Sequence, residues 1–330
     1  MANEQLPDID PSLQPIPDAF DFDLRESLRA VHLLRARIPE DGFTVRSLGA
    51  ERTGHAVLID ERGLFLTIGY LVVEAESVWL IDADGAAVEA TVIGVDNESG
   101  LGLVQMLGRP TAKPLPIGSA ADLKMGEHAV FAGYGGCAQS VEAEIVGLRE
   151  FAGYWEYMLE RAIFTSPPHP FWGGAALIAR DGTLRGIGSL FVQESDVDDD
   201  SASGPAREGN MIVPVDLLAG VRDDLMTHGG RTTPPRPWLG LFSAETAGKV
   251  VVAGLWDGGP ASNAGVEPGD LVLEVGGNPV GSLTAFYRNI WSLGTAGTTV
   301  PLTLYRDRRI MEIAVESANR ADFYKKPGLH

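Results

Sequence analysis

Residues able to carry nucleophilic, acid–base or metal chemistry are few in this chain and stand far apart. The histidines are His32, His55, His128, His169, His228 and His330, and no two share the i, i+3 or i, i+4 spacing that sets a pair of imidazoles on one helix face for a metal. Ser166 precedes two prolines and has no base beside it; Cys137 lies in a Gly135-Gly136-Cys137 turn with no basic neighbour to lower its thiol pKa, and reads as a small buried residue. Asp196, Asp198, Asp199 and Asp200 invite a calcium reading, but the glycine and terminal glutamate of an EF-hand loop are missing, so the stretch 194–209 reads as a solvated loop. No metal and no cofactor are expected. The remaining candidate is His169, within TSPPHPFWGGAALIARDGTLRGI from Thr165 to Ile187, where a Pro- and Gly-containing loop separates two apolar runs. There it could face a cleft beside Phe171 and Trp172, large aromatics of the kind that either anchor a protein interface or fold inward as a plug.

The elements that must position this loop are short apolar runs bounded by turn residues. Ala30–Ile38, His55–Ile59, Leu64–Ile68, Val78–Ile81, Val88–Gly94 and Leu101–Leu107 form one series. His128–Ala132, Val141–Arg149, Tyr154–Thr165, Ala175–Ile178, Leu184–Val192 and Asn210–Val213 form a second. Asp60-Glu61-Arg62-Gly63 and Asp82-Ala83-Asp84-Gly85 have the composition of tight hairpin turns. Two series of six strands are what a double β-barrel requires, so the fold class is mainly β. Before them, Pro7, Pro11, Pro15 and Pro17 favour an extended arm over packed structure, with a short helix near Phe22–Arg29. After them, Val215–Met226 reads as a closing helix, and the Gly- and Pro-rich run from His228 to Pro237 as a linker.

Four blocks, Gly54–Val73, Val92–Met106, Leu115–Gly136 and Gly209–Leu217, together with the 165–187 loop, resemble in order the blocks of an HtrA-type serine protease of the chymotrypsin fold. The resemblance implies a Ser-His-Asp triad, but the family's histidine falls on Tyr70 and its aspartate on Gly100. The serine falls on Gly173 if the loop is aligned from Asp181 backwards, or on Trp172 if the two glycines are matched. In the first alignment the glycine whose N–H completes the oxyanion hole is replaced by Phe171. Loss of a whole triad costs about 2 × 10⁶ in kcat, which turns a typical ~10 per second into roughly one turnover in two days.

Beyond the linker, Trp238-Leu239-Gly240-Leu241, the run 258–280 with Ala264-Gly265-Val266-Glu267-Pro268-Gly269-Asp270, Leu283–Trp291 and Thr299–Tyr305 resemble the PDZ domain of the same family. That resemblance implies an extended peptide added to a sheet edge, its terminal carboxylate held by N–H groups of the Trp238–Leu241 loop. Leu283, Phe286 and Ile290, at helical spacing, would line a side-chain pocket. The expected organisation is an arm and short helix (1–29), a double-barrel pseudoprotease (30–228), a linker (229–237), a PDZ domain (238–318) and a tail (319–330).

A formal net charge of −19 repels phosphate backbones and anionic lipid, so nucleic acid is not an expected partner. The first residues carry no basic n-region followed by an apolar run, no apolar stretch approaches membrane-span length, and one cysteine allows no intramolecular disulfide; these features lead to the expectation of a cytoplasmic protein. The function expected is a binding or scaffold subunit for protein or peptide C-termini, in a larger complex or a homo-oligomer. The family's trimer would use N-terminal aromatics such as Phe20 and Phe22. A serine-type endopeptidase and an accessory subunit for assembly of another enzyme are the alternatives.

Overall fold

The structure, a computed structural model, describes residues 7–194 and 207–325. Twelve strands close into two barrels. The first comprises β1 (Val31–Arg37), β2 (Glu51–Leu58), β3 (Leu64–Ile68), β4 (Ser77–Ile81), β5 (Ala87–Val95) and β6 (Leu101–Met106), paired in the order β1-β2-β3-β6-β5-β4 with β4 returning to β1. The second comprises β7 (His128–Ala132), β8 (Ser140–Gly153), β9 (Tyr157–Ser166), β10 (Ala176–Ala179), β11 (Leu184–Glu194) and β12 (Arg207–Pro214), in the order β10-β11-β12-β9-β8-β7 with β7 returning to β10. Closure leaves no open sheet edge. In β4 the alternation is plain: Val78 and Leu80 are buried while Trp79 is exposed. The hairpin turns form as their composition requires. Asp60 accepts the N–H of Arg62 and Asp82 those of Asp84 and Ala86, and Gly85 takes a φ of 83° that favours glycine.

Helix α1 (Leu24–Leu28) precedes β1, and α2 (Val45–Leu48) lies between β1 and β2. The closing helix is broken at Gly220 and Val221 into α3 (Asp216–Ala219) and α4 (Arg222–His228). The arm departs from the sequence expectation. Its prolines start two 3₁₀ turns at Pro11–Leu13 and Pro17–Ala19, Ile9 is buried against Val141 and Ala143, and Gln139 donates to the Pro7 carbonyl. Ile9, with Leu13 packed beside it, holds the arm on the barrel. Phe20 and Phe22 stack edge to face at 5.6 Å, with Arg180 over Phe20. Much of the acidic stretch 194–209, to which the calcium reading belonged, lies outside the described residues, as does the end of the tail.

Two compact units emerge. One contains Met1–Arg149, Arg161–Gly230 and Lys325–His330; the other contains Glu150–Glu160 and Arg231–Tyr324. The second unit is a sheet of β13 (Leu241–Thr246), β14 (Lys249–Leu255), β15 (Leu271–Val275), β16 (Asn278–Pro279), β17 (Thr299–Arg306) and β18 (Arg309–Glu316), ordered β13-β14-β15-β17-β18 with β16 on β15. It carries α5 (Pro260–Asn263) and α6 (Leu283–Ser292). Ser282 caps α6 by accepting the Ala285 N–H, and Leu283, Phe286, Tyr287 and Ile290 face inward at i, i+3, i+4 and i+7. The Ala264–Asp270 run ends on a fully buried Asp270. Burial raises its pKa, but Arg306 and the Glu267 N–H outweigh that and hold the carboxyl below its ordinary value.

Candidate functional site

The barrel unit brings together the three positions onto which the resemblance maps a triad, Tyr70, Gly100 and Gly173. Tyr70 sits in a 3₁₀ turn, Gly69–Leu71, directly after β3. Buried Arg52 on β2 fixes that turn by donating to the carbonyls of Tyr70 (2.6 Å) and Val73 (3.2 Å). Gly100, in the turn before β6 with φ 78°, accepts the Gly69 N–H at 2.7 Å. The Tyr70 hydroxyl donates to the Ser189 carbonyl at 2.9 Å and stands 2.8 Å from where a Cβ on residue 173 would be. It therefore occupies the space into which a side chain at 173 would begin to extend. Burial of the phenol pushes its pKa well above the ordinary value, so it is a neutral hydroxyl.

The loop's polar groups are used internally. The Phe171 N–H donates to His169 Nδ1 at 3.0 Å, and His169 Nε2 lies 3.0 Å from the Gln139 carbonyl. An acceptor role at Nδ1 puts the proton on Nε2. His169 is fully buried and its own N–H donates to Asn210, so it does not face a cleft as its loop position had led us to expect. Its burial follows from ring packing: Phe131 lies 5.5 Å away and His55 6.2 Å. Burial lowers the pKa of His169 to about 4 and that of His55 to about 3, so both are neutral at pH 7. Sequence reading missed His55 because only the packed loop brings the Gly173 carbonyl onto it, accepting its N–H at 2.8 Å and lying 3.1 Å from its Nδ1.

Phe171 and Trp172 are both half-buried. Phe171 packs edge-on against His55 at 4.4 Å, and Trp172 packs on Phe191 at 5.7 Å and against the Phe131–Ile163 core. That geometry is a plug's. Trp172→Ala is expected to cost about 2 kcal/mol, below the range for a fully buried tryptophan, and to lower the barrel's Tm by roughly 4–8 °C. Thermal melting of the purified variant checks this, and a change under 2 °C would return Trp172 to the role of a surface anchor.

The C-terminal unit holds a second constellation. Leu239, Gly240 and Leu241 present three successive N–H groups, with Gly240 at φ 78° turning them to one side. All three donate to one carboxylate, that of Glu156: Leu239 at 2.9 Å, Gly240 at 2.7 Å and Leu241 at 2.8 Å. Burial pushes the Glu156 carboxyl up to about 7, against the opposite pull of the N–H donors and Arg320. Trp238 of the Trp238–Leu241 loop is buried, and so are Leu283, Phe286 and Ile290, expected to line the side-chain pocket; these three lie with Leu239 and Leu241 in a core that includes Met158. Glu156 was missed because the sequence expectation ran a strand through Tyr154. The strand starts at Tyr157, and Glu156 takes a left-handed φ of 57°.

Among the described residues no group of three or more His, Cys, Asp or Glu side chains is placed to hold a metal ion, and no helix is long and apolar enough to cross a membrane. Fold and site together define a trypsin-like double barrel followed by a PDZ domain. The trypsin-like peptidase domain model matches residues 53–187 and the PDZ domain model residues 237–316.

A probable periplasmic serine endoprotease, DegP-like, from Pseudomonas fluorescens is 26% identical over 292 residues, 84% of this chain and 59% of that protein. Serine protease PepD from Mycobacterium tuberculosis is 27% identical over 229 residues, 67% of this chain and 49% of that protein. The solved HtrA-type protease AlgW with decapeptide superposes with a TM-score of 0.52 at 19% identity, covering 92% of this chain and 98% of that one. The chain therefore carries a trypsin-like peptidase domain followed by a PDZ domain, and over most of its length it is similar to proteins named as DegP-like and HtrA-type proteases. It spans about three fifths of the length of the DegP-like relatives. Their names also overturn the cytoplasmic expectation: they are named as probable periplasmic endoproteases, and the composition of the first residues was no guide to compartment.

Proposed function

We propose that this chain is a proteolytically silent HtrA-type protein that works as a binding or scaffold subunit, its PDZ unit capturing protein or peptide C-termini. The observation that carries the first half is Tyr70: its neutral hydroxyl stands 2.8 Å from where a Cβ on residue 173 would be, while the resemblance places the aspartate on Gly100 and the serine on Gly173 or Trp172. The N–H that would complete the oxyanion hole in that alignment is committed to His169. Capture is supported by the three converging N–H groups at Leu239–Leu241, which suit a carboxylate. The endoprotease names of the relatives favour a second reading, hydrolysis at a different site in the barrel.

For capture, a fluorescein-labelled octapeptide ending in valine is titrated into the full chain as the free acid and as the amide. Amidation is expected to weaken binding at least ten-fold. Equal affinity for the two forms would contradict carboxylate capture.

A further inference from the structure

The carboxylate already seated on Leu239–Leu241 belongs to the chain itself, and the residues around it engage both walls of the groove. The Tyr154 carbonyl accepts the Ser243 N–H at 2.8 Å, an edge-strand bond on β13. On the α6 side, the Tyr287 hydroxyl donates to the Gly153 carbonyl at 2.7 Å and accepts the Glu156 N–H at 3.2 Å. Arg288 pairs with Glu150 and, at 3.0 Å, with Glu160. Met158 packs into the core that includes Leu239, Leu241 and Phe286. An edge-strand hydrogen bond, a carboxylate on the N–H loop and an apolar side chain in the core are the three contacts by which an extended peptide is held at a sheet edge.

We propose that Glu156 takes, in cis, the place of an incoming peptide's terminal carboxylate, so that the PDZ unit accepts a free C-terminus only by displacing the turn from Glu150 to Glu160. This rests on the peptide-capture reading above. A tethered occupant acts at an effective concentration of order millimolar, with no association entropy to lose. The apparent affinity for a peptide in solution then falls by the fraction of time the loop is vacant. The left-handed φ of Glu156 fits a residue whose backbone is held by its contacts. It also means that glycine at this position removes the carboxylate without adding strain.

The test uses the valine-ending octapeptide and its amide against full-length wild type, Glu156→Gly and Glu156→Gln. Affinity for the free acid is expected to rise at least ten-fold in Glu156→Gly and by less in Glu156→Gln, the amide gaining as the groove empties but still binding more weakly than the acid. Equal affinity of all three proteins for the free acid overturns cis occupancy and leaves capture standing. Binding by none of them overturns both. Hydrogen exchange on the wild type needs no variant: saturating peptide should speed exchange of the amides 151–160 while residues 239–241 stay protected. Unchanged exchange of 151–160 with peptide bound overturns the proposal.

Discussion

Gly174→Ala is expected to destabilise the barrel unit by about 3–5 kcal/mol, enough to consume much of the margin of a typical domain. A Cβ on residue 174 would lie 1.9 Å from the His55 carbonyl oxygen, and φ at this position is 77°. The dihedral alone costs about 1–2 kcal/mol for alanine. The remainder comes from backbone meeting backbone, which no side-chain rotation relieves, because Gly174 also donates its N–H to Gly188 at 2.9 Å. Gly85→Ala separates the two terms: Gly85 has φ 83° and nothing within 4 Å of its Cβ position, so its cost is the dihedral alone, about 1 kcal/mol. Urea melts of the two variants measure the difference. Equal losses would mean that the loop is not packed on β2 as described.

This close packing explains what was legible in the sequence. The twelve barrel strands could be read because each apolar run is short and ends in residues, such as Asp82 and Gly85, that dictate a turn locally. The resemblance could assign the triad to Tyr70, Gly100 and Gly173 or Trp172 only through their neighbours in β3, β6 and β10, the elements that bring Tyr70 and Gly173 close. What escaped depends on contacts remote in sequence. Glu156 finds its N–H partners some 83 to 85 residues away, and nothing in the order Tyr154-Trp155-Glu156-Tyr157 announces that. His169 in a Pro-rich loop reads as facing a cleft until Phe131 and His55 pack against it. The arm reads as unpacked until Ile9 meets Val141 and Ala143. Burial belongs to the assembled fold, and periodicity reports it only inside regular elements.

The largest effect expected concerns rate. With no hydroxyl at residue 172 or 173, no imidazole at 70 and no carboxylate at 100, the positions onto which the resemblance maps the triad carry none of its groups, and the silent reading proposed above assigns the barrel neither relay nor nucleophile. Such losses do not add, because the three groups act as a unit, and the ceiling is about 2 × 10⁶ in kcat. Neither buried histidine restores the relay. Protonation of His55 or His169, lowered by burial to about 3 and about 4, is disfavoured at pH 7, and neither ring has a hydroxyl or thiol nucleophile among its hydrogen-bond partners.

The direct measurement is turnover of unfolded casein by the purified full-length chain, alongside labelling by a fluorophosphonate probe, with an active DegP-like protease as the positive control. The account predicts an unlabelled chain and a rate no greater than roughly one cleavage in two days. Labelling of the chain, or casein loss that follows it through chromatography and disappears on one substitution within it, would contradict the proteolytically silent reading.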